Sequence, residues 1–118
     1  MEVDMKLKNI SIFIAIAAAM AGGTANAGPV SASGIMRSYY LSGGANFGFR
    51  ISLYQNGVDQ LSGCNANFAY INTTDDNYQS KVAGLMLAYS TKANVVLTGI
   101  VTDSQGFCRI GDYSVAGQ

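Results

Sequence analysis

Two cysteines, Cys64 and Cys108, are the only ones in the chain, and they constrain its fold more than any other feature. They lie far apart, and the segment between them holds the one helical pattern of the sequence. What they become depends on the compartment. In an oxidising compartment such a pair forms a disulfide; in a reducing one it stays as two buried or reactive thiols. The start of the chain bears on this. Lys6 and Lys8 precede an apolar run from Ile10 to Ala21, broken only by Ser11, and Ala25 and Ala27 then occupy the small-residue positions of an A-x-A cleavage site. That order reads as a secretory signal peptide over 1–27, cleaved after Ala27. The run is about a dozen residues, short of the ~20 of a membrane-spanning helix. An uncleaved anchor is the alternative. Glu2 and Asp4 are unusual in a basic leader, so translation from Met5 is a second possible start.

Residues 28–118 are then one small exported domain, placed in the periplasm or secreted. At this size a hydrophobic core is modest and profits from a cross-link. Closing Cys64 onto Cys108 is worth ~4 kcal/mol in the loop-entropy account, an upper figure. A reactive thiol would need a base or positive field. The chain has no histidine, and Arg109 adjoins Cys108 in a predicted strand, where neighbours point to opposite faces.

The elements follow from periodicity. "GIMRSYYL" (34–41) reads as a strand and "SGGAN" as a turn. In the next strand Phe47, Phe49, Ile51 and Leu53 share one face, and Gly48, Arg50, Ser52 and Tyr54 the other. Asn56-Gly57 suits a tight hairpin into a short strand near Val58–Leu61. Residues 68–71 form a further short strand. Thr73 or Thr74 caps a helix with Asp75 and Asp76 in its first turn. Its apolar stripe is Tyr78, Val82, Leu85, Met86 and Tyr89. Ala83 and Leu87 lie off that stripe, and Gly84 allows close approach to the sheet. Asn94 ends the helix. "NVVLTGIVT" (94–102) is a central strand with a bend or bulge at Gly99. The last strand carries Cys108, Ile110 and Asp112 on one face, and Arg109 and Tyr113 together on the other.

The result is a mainly β domain with one α-helix, an α+β chain. Its plan is an OB-like five-stranded Greek-key barrel, or a strongly twisted antiparallel sheet packed by the helix.

With "DDNYQSKVAGLMLAYSTKANVVLTG" set between the two cysteines, the layout resembles small secreted bacterial proteins related to the B subunit of subtilase cytotoxin. More loosely it resembles the OB-fold B subunits of five-fold toxins. The resemblance implies a homo-oligomeric ring, a pentamer with helices at its centre, and a cell-surface glycan as partner. It assigns no sugar-binding residue to a position here, and the chain lacks tryptophan, a frequent sugar platform.

The residues themselves exclude several chemistries. Formal net charge is zero, which leaves no basic footprint for nucleic acid. Without histidine no Ser-His-Asp or Cys-His set exists, and zinc is ruled out with two distant cysteines. Neither "NTTDD" nor "TDSQGFCRIGD" has calcium-loop spacing. No cofactor, metal site or catalytic set is expected, and the chain does not read as an enzyme. Binding is left. Arginines on strands can hold carboxylates, and tyrosines can bury a ring while presenting a hydroxyl. Arg109, Tyr113, Tyr54 and Arg50 are the candidate ligand-binding residues. Two functions follow from this reading: an exported binding module for glycans, or a small exported structural or inhibitory protein with no small-molecule site.

Overall fold

The computed structural model describes residues 28–117, so the leader segment lies outside the described residues. The strands are β1 (Ala32–Leu41), β2 (Phe49–Gln55), β3 (Val58–Asp59), β4 (Ala69–Ile71), β5 (Asn94–Thr102) and β6 (Cys108–Ala116); the helix α1 is Tyr78–Thr91. Hydrogen bonding runs β1-β5-β6-β4-β2, and β2 pairs back with β1, closing a ring of five strands. The two-residue β3 only extends the tip of β2. The pair β4–β6 is parallel and the other pairings are antiparallel. With β3 set aside, the ring reads 1-2-3-5-4 with the helix between its third and fourth strands. That is the Greek-key plan of an OB-type barrel.

Alternation builds the interior. Phe49, Ile51 and Leu53 of β2 are buried, as are Ala69 and Ile71 of β4, Val95, Leu97 and Ile100 of β5, and Cys108 and Ile110 of β6. Helix α1 adds Leu85 and Ala88, with Tyr78, Val82 and Met86 packed half-buried around them. Leu87, off the stripe, is 65% exposed. At the tip of β2, Asn56 and Gly57 have φ of 53° and 79°, the two positive values that a type I′ turn requires.

Cys64 and Cys108 are joined as a disulfide with Cα atoms 5.5 Å apart. The bond ties the segment before β4 to the first residue of β6. Disulfides persist in oxidising compartments, outside the cytosol of most cells. Among the described residues no helix is long and apolar enough to cross a membrane.

Three local expectations need correction. Phe47 does not continue the inward row of β2. Its φ is 55°, so the backbone turns left-handed just before the strand and sends the ring outward. Asp75 and Asp76 precede α1 rather than fill its first turn; Asn77, at φ 58°, stands at the cap without a side-chain bond. Asp75 instead accepts from the Asn72 N–H at 2.9 Å, closing a turn. At the other end Lys92, φ 55°, ends α1 in a left-handed cap, with the Ala93 N–H donating to the Ala88 carbonyl at 3.0 Å. Third, β6 changes phase midway. The β5–β6 register slips on both sides of Gly99, opposite Asp112. Asp112 is thereby turned out and Tyr113 turned in against the core, so Arg109 and Tyr113 lie on opposite faces.

Candidate functional site

The outer face of the barrel carries one transverse row. Register places Tyr40 opposite Arg50, Arg50 opposite Tyr70, and Tyr70 opposite Arg109. Their inward neighbours Phe49, Ile51, Ala69, Ile71 and Cys108 are core, so period 2 turns these four outward. A bulge in β1 between Met36 and Ser38 corrects its phase. Beyond it Ser38 and Ser52 come side by side, their hydroxyls 2.8 Å apart.

Arg50 is the centre of the row. Its guanidinium carbon lies 4.3 Å from the Tyr40 ring centroid and 5.4 Å from that of Phe68. Cation–π attraction of this kind contributes ~0.5–2 kcal/mol, more as the site dries. Arg50 Nε is buried and has no hydrogen-bond partner among the described residues. Beside it opens a groove of about 390 Å³, walled by Ser38, Tyr40, Ser52, Asn67 and Phe68. Ala66 and Asn67, both at φ 60°, bend the chain to form one wall. Left-handed backbone at non-glycine residues costs about 1–3 kcal/mol and gathers at ligand sites.

A second cleft of about 250 Å³ lies across Tyr70 from the first, between loop 42–48 and loop 103–107. Phe47 meets Phe68, Tyr70 and Phe107 with ring centroids 5.8, 4.4 and 4.9 Å apart. Phe68 lines the first hollow and Phe47 the second, so the two are linked through this ring contact. Asp103 organises the 103–107 loop, accepting from the Gln105 and Phe107 N–H groups at 2.9 and 3.0 Å and from the Tyr70 hydroxyl at 3.2 Å. Asn72 fixes the other wall by accepting from the Phe47 N–H at 2.8 Å. At the end of the row, Arg109 is ion-paired with Asp75 at 3.5 Å.

No family model, curated protein or solved structure matches this chain. The site is therefore read from its own chemistry. Of the four residues singled out from sequence, Arg50 and Arg109 stand in the row. Tyr54 shares the outer face of β2 but lies further along it, under the Arg37 guanidinium at 3.8 Å and beside the hairpin turn. Tyr113 lies elsewhere. Its hydroxyl donates to the Lys81 carbonyl at 2.8 Å, pinning α1 to β6. A methyl group on Gly84 would strike that hydroxyl, so the glycine makes room for this contact. Sequence reasoning did not single out Ser38 or Ser52 as site residues, although the outward alternation of β2 paired across the hairpin points to them. Phe47 had no such signal, because its left-handed backbone has no counterpart in residue type.

Two phenols are perturbed. Burial, then the nearby Asp103 carboxylate, raises the Tyr70 pKa; burial alone raises that of Tyr113. The folded domain thus holds these protons more tightly than the unfolded chain. Their contribution to stability is whole below the unfolded value of ~10 and is lost as pH rises through the folded values. Urea denaturation across alkaline pH should show stability falling above about pH 10, with a smaller fall in the Tyr113→Phe variant. A Tyr113→Phe profile identical to that of the parent chain would remove Tyr113 from this account.

Among the described residues no three of His, Cys, Asp and Glu stand together as metal ligands would.

Proposed function

We propose that the chain is an exported, non-catalytic binding module that takes a carbohydrate with an acidic group on the outer face of β1, β2 and β4. The observation that carries this reading is Arg50: a guanidinium stacked by rings, with a buried Nε lacking a partner, beside an open groove. No acceptor among the described residues engages this guanidinium, and a carboxylate in the groove would supply one through a charge-assisted hydrogen bond, worth about 1.5–3 kcal/mol. Tyr40, 59% exposed, offers a ring for stacking, and the Ser38–Ser52 pair and Asn67 offer hydroxyl and amide partners. Aromatic faces with a few convergent polar groups are the make-up of a small-ligand site. The leader sequence and the formed disulfide support export to the periplasm or beyond. The lack of histidine supports a role without acid–base chemistry.

A glycan array probed with the mature domain tests this directly. Binding should concentrate on glycans bearing a carboxylate, and Arg50→Gln should weaken it by roughly 10–100-fold, the worth of a charge-assisted hydrogen bond. An array without hits would sink the carbohydrate reading. The toxin-B-like reading adds assembly into a ring, for which the exposed Leu87 on α1 supplies an apolar contact. Light scattering reads that separately, and a strict monomer would remove the ring while leaving the site.

A further inference from the structure

We infer that the cleft between loops 42–48 and 103–107 is a separate site for a primary ammonium group on an alkyl chain, held by the Asp103 carboxylate against the Phe47 and Tyr70 rings. The inference does not rest on the glycan reading of the Arg50 groove and stands or falls apart from it.

The cleft, of about 250 Å³, has one charged residue in its lining, Asp103. That carboxylate makes no ion pair among the described residues. Its Oδ1 accepts from the Gln105 and Phe107 N–H groups and its Oδ2 from the Tyr70 hydroxyl. An ionised carboxylate accepts about four hydrogen bonds, so the charge is uncompensated and one accepting position is left. The Tyr70 phenol registers this field: burial first, then the Asp103 carboxylate, raises its pKa. The cations beside the cleft are engaged elsewhere. Arg109, the cross-strand partner of Tyr70, is paired with Asp75 and does not line the cleft. Arg50 is drawn over the Tyr40 ring, on the strand that flanks β2 opposite β4.

The rings supply the second half of the recognition. Phe47 and Tyr70 both line the cleft, with centroids 4.4 Å apart and planes at 84°. A cation over such rings is attracted by their quadrupoles, and a methylene stem packs on the same faces. Phe47 is held in place for this at a cost, since a bulky side chain at φ 55° is a backbone outlier. Three hydrogen bonds enforce it: Phe47 N–H to Asn72 Oδ1 at 2.8 Å, Thr73 N–H to the Ala45 carbonyl at 3.0 Å, and Ser42 N–H to the Gly48 carbonyl at 2.7 Å. At the rim, the exposed side chains of Asn46 and Gln105 have no hydrogen bond among the described residues. Their carbonyl oxygens can accept the remaining ammonium protons. An anion would meet Asp103 with no cation in the lining to offset it. A lysine side chain on a protein and a free polyamine both carry the required group. Asn72, whose NH2 is unengaged, favours the first, because it can donate to a peptide carbonyl.

The test is an NMR titration of the mature domain with pentylamine, cadaverine, doubly capped lysine, choline and 1-pentanol. The primary amines should shift the amides of 45–47, 72 and 103–107, with dissociation constants on the order of 1 mM. Asp103→Asn keeps the Oδ1 that closes the 103–107 turn and should weaken them roughly tenfold or more, the worth of a charge-assisted hydrogen bond. Phe47→Leu, which leaves the carboxylate alone, should weaken them roughly three- to fivefold. Tyr70→Phe frees a position on Oδ2 and should bind at least as tightly as the parent. Melting curves show that each variant is folded. Tighter binding of capped lysine than of cadaverine upholds the site and names a protein side chain; the reverse upholds it and names a free polyamine. Pentanol or choline binding as tightly as pentylamine, full affinity in folded Asp103→Asn, or no shift at about 50 mM amine overturns the inference.

Discussion

Replacing both cysteines, Cys64→Ala with Cys108→Ala, is expected to lower the melting temperature of the mature domain by roughly 10–20 °C. The bond closes a sequence separation of 44 residues. Loop-closure entropy for that length is ~4 kcal/mol, and measured losses for small exported domains run about 2–5 kcal/mol. Each kcal/mol shifts the midpoint of a domain this size by about 4–8 °C. Both sulfurs are in the core, so the variant also leaves an underfilled space beneath β4. Reduction of the parent chain should reproduce most of the loss. A midpoint within about 2 °C of the parent would mean that the ring of strands holds 64 and 108 together unaided. The effect should also reach the site. Asn65 is hydrogen-bonded to the 103–107 loop through its N–H, 2.8 Å from the Gly106 carbonyl, and through its amide, 3.1 Å from that of Gln105. Cys64 anchors that contact, so the double variant should bind acidic glycan more weakly even where it is folded.

Phe49→Ala should cost about 3–5 kcal/mol, the usual toll for emptying a phenylalanine site in a core. Phe49 is fully buried and stacks on Tyr39 at 5.5 Å between centroids. It pairs with Leu41 on one side and Ile71 on the other, where β1, β2 and β4 meet. Such a loss is a large share of the ~5–15 kcal/mol that holds a domain folded. Urea denaturation gives the number, and a loss below about 1 kcal/mol would place the centre of the core elsewhere. Gln79→Ala, on the exposed side of α1, is the control and should change stability by no more than about 0.5 kcal/mol.

Much of the barrel was legible in the sequence because its determinants are local. Alternation along 49–53, the Asn-Gly turn and the apolar stripe from Tyr78 to Met86 each act over a few residues, and each matches the structure. The bend or bulge expected at Gly99 is present, as register slips on both sides of that residue. What those slips do to β6 was not legible. Strict alternation put Arg109 and Tyr113 together, and one irregularity in a neighbouring strand separated them. Phe47 was misread for a similar reason: its position is set by a partner distant in sequence, the Asn72 side chain, whereas Asp75 was misread because it closes a local turn on the Asn72 N–H instead of entering the helix. The site was half visible. Arg50 and Arg109 stand out as cations on strands, while the rings and hydroxyls around Arg50 are collected by register across β1, β2 and β4.

The disulfide has a consequence for the life of such a domain among proteases. Residues 64–108 form a closed covalent loop that contains β4, α1 and β5. A single cut within 72–77 or 103–107 therefore releases nothing: both pieces stay tethered, and the nicked molecule keeps its full mass until it is reduced. A cut within 42–48 falls outside that loop and leaves β1 held by non-covalent contacts alone, its pairing with β2 and β5 and its core packing among them. Of the two loops that border the second cleft, one can be severed with both pieces still covalently joined, and the other cannot.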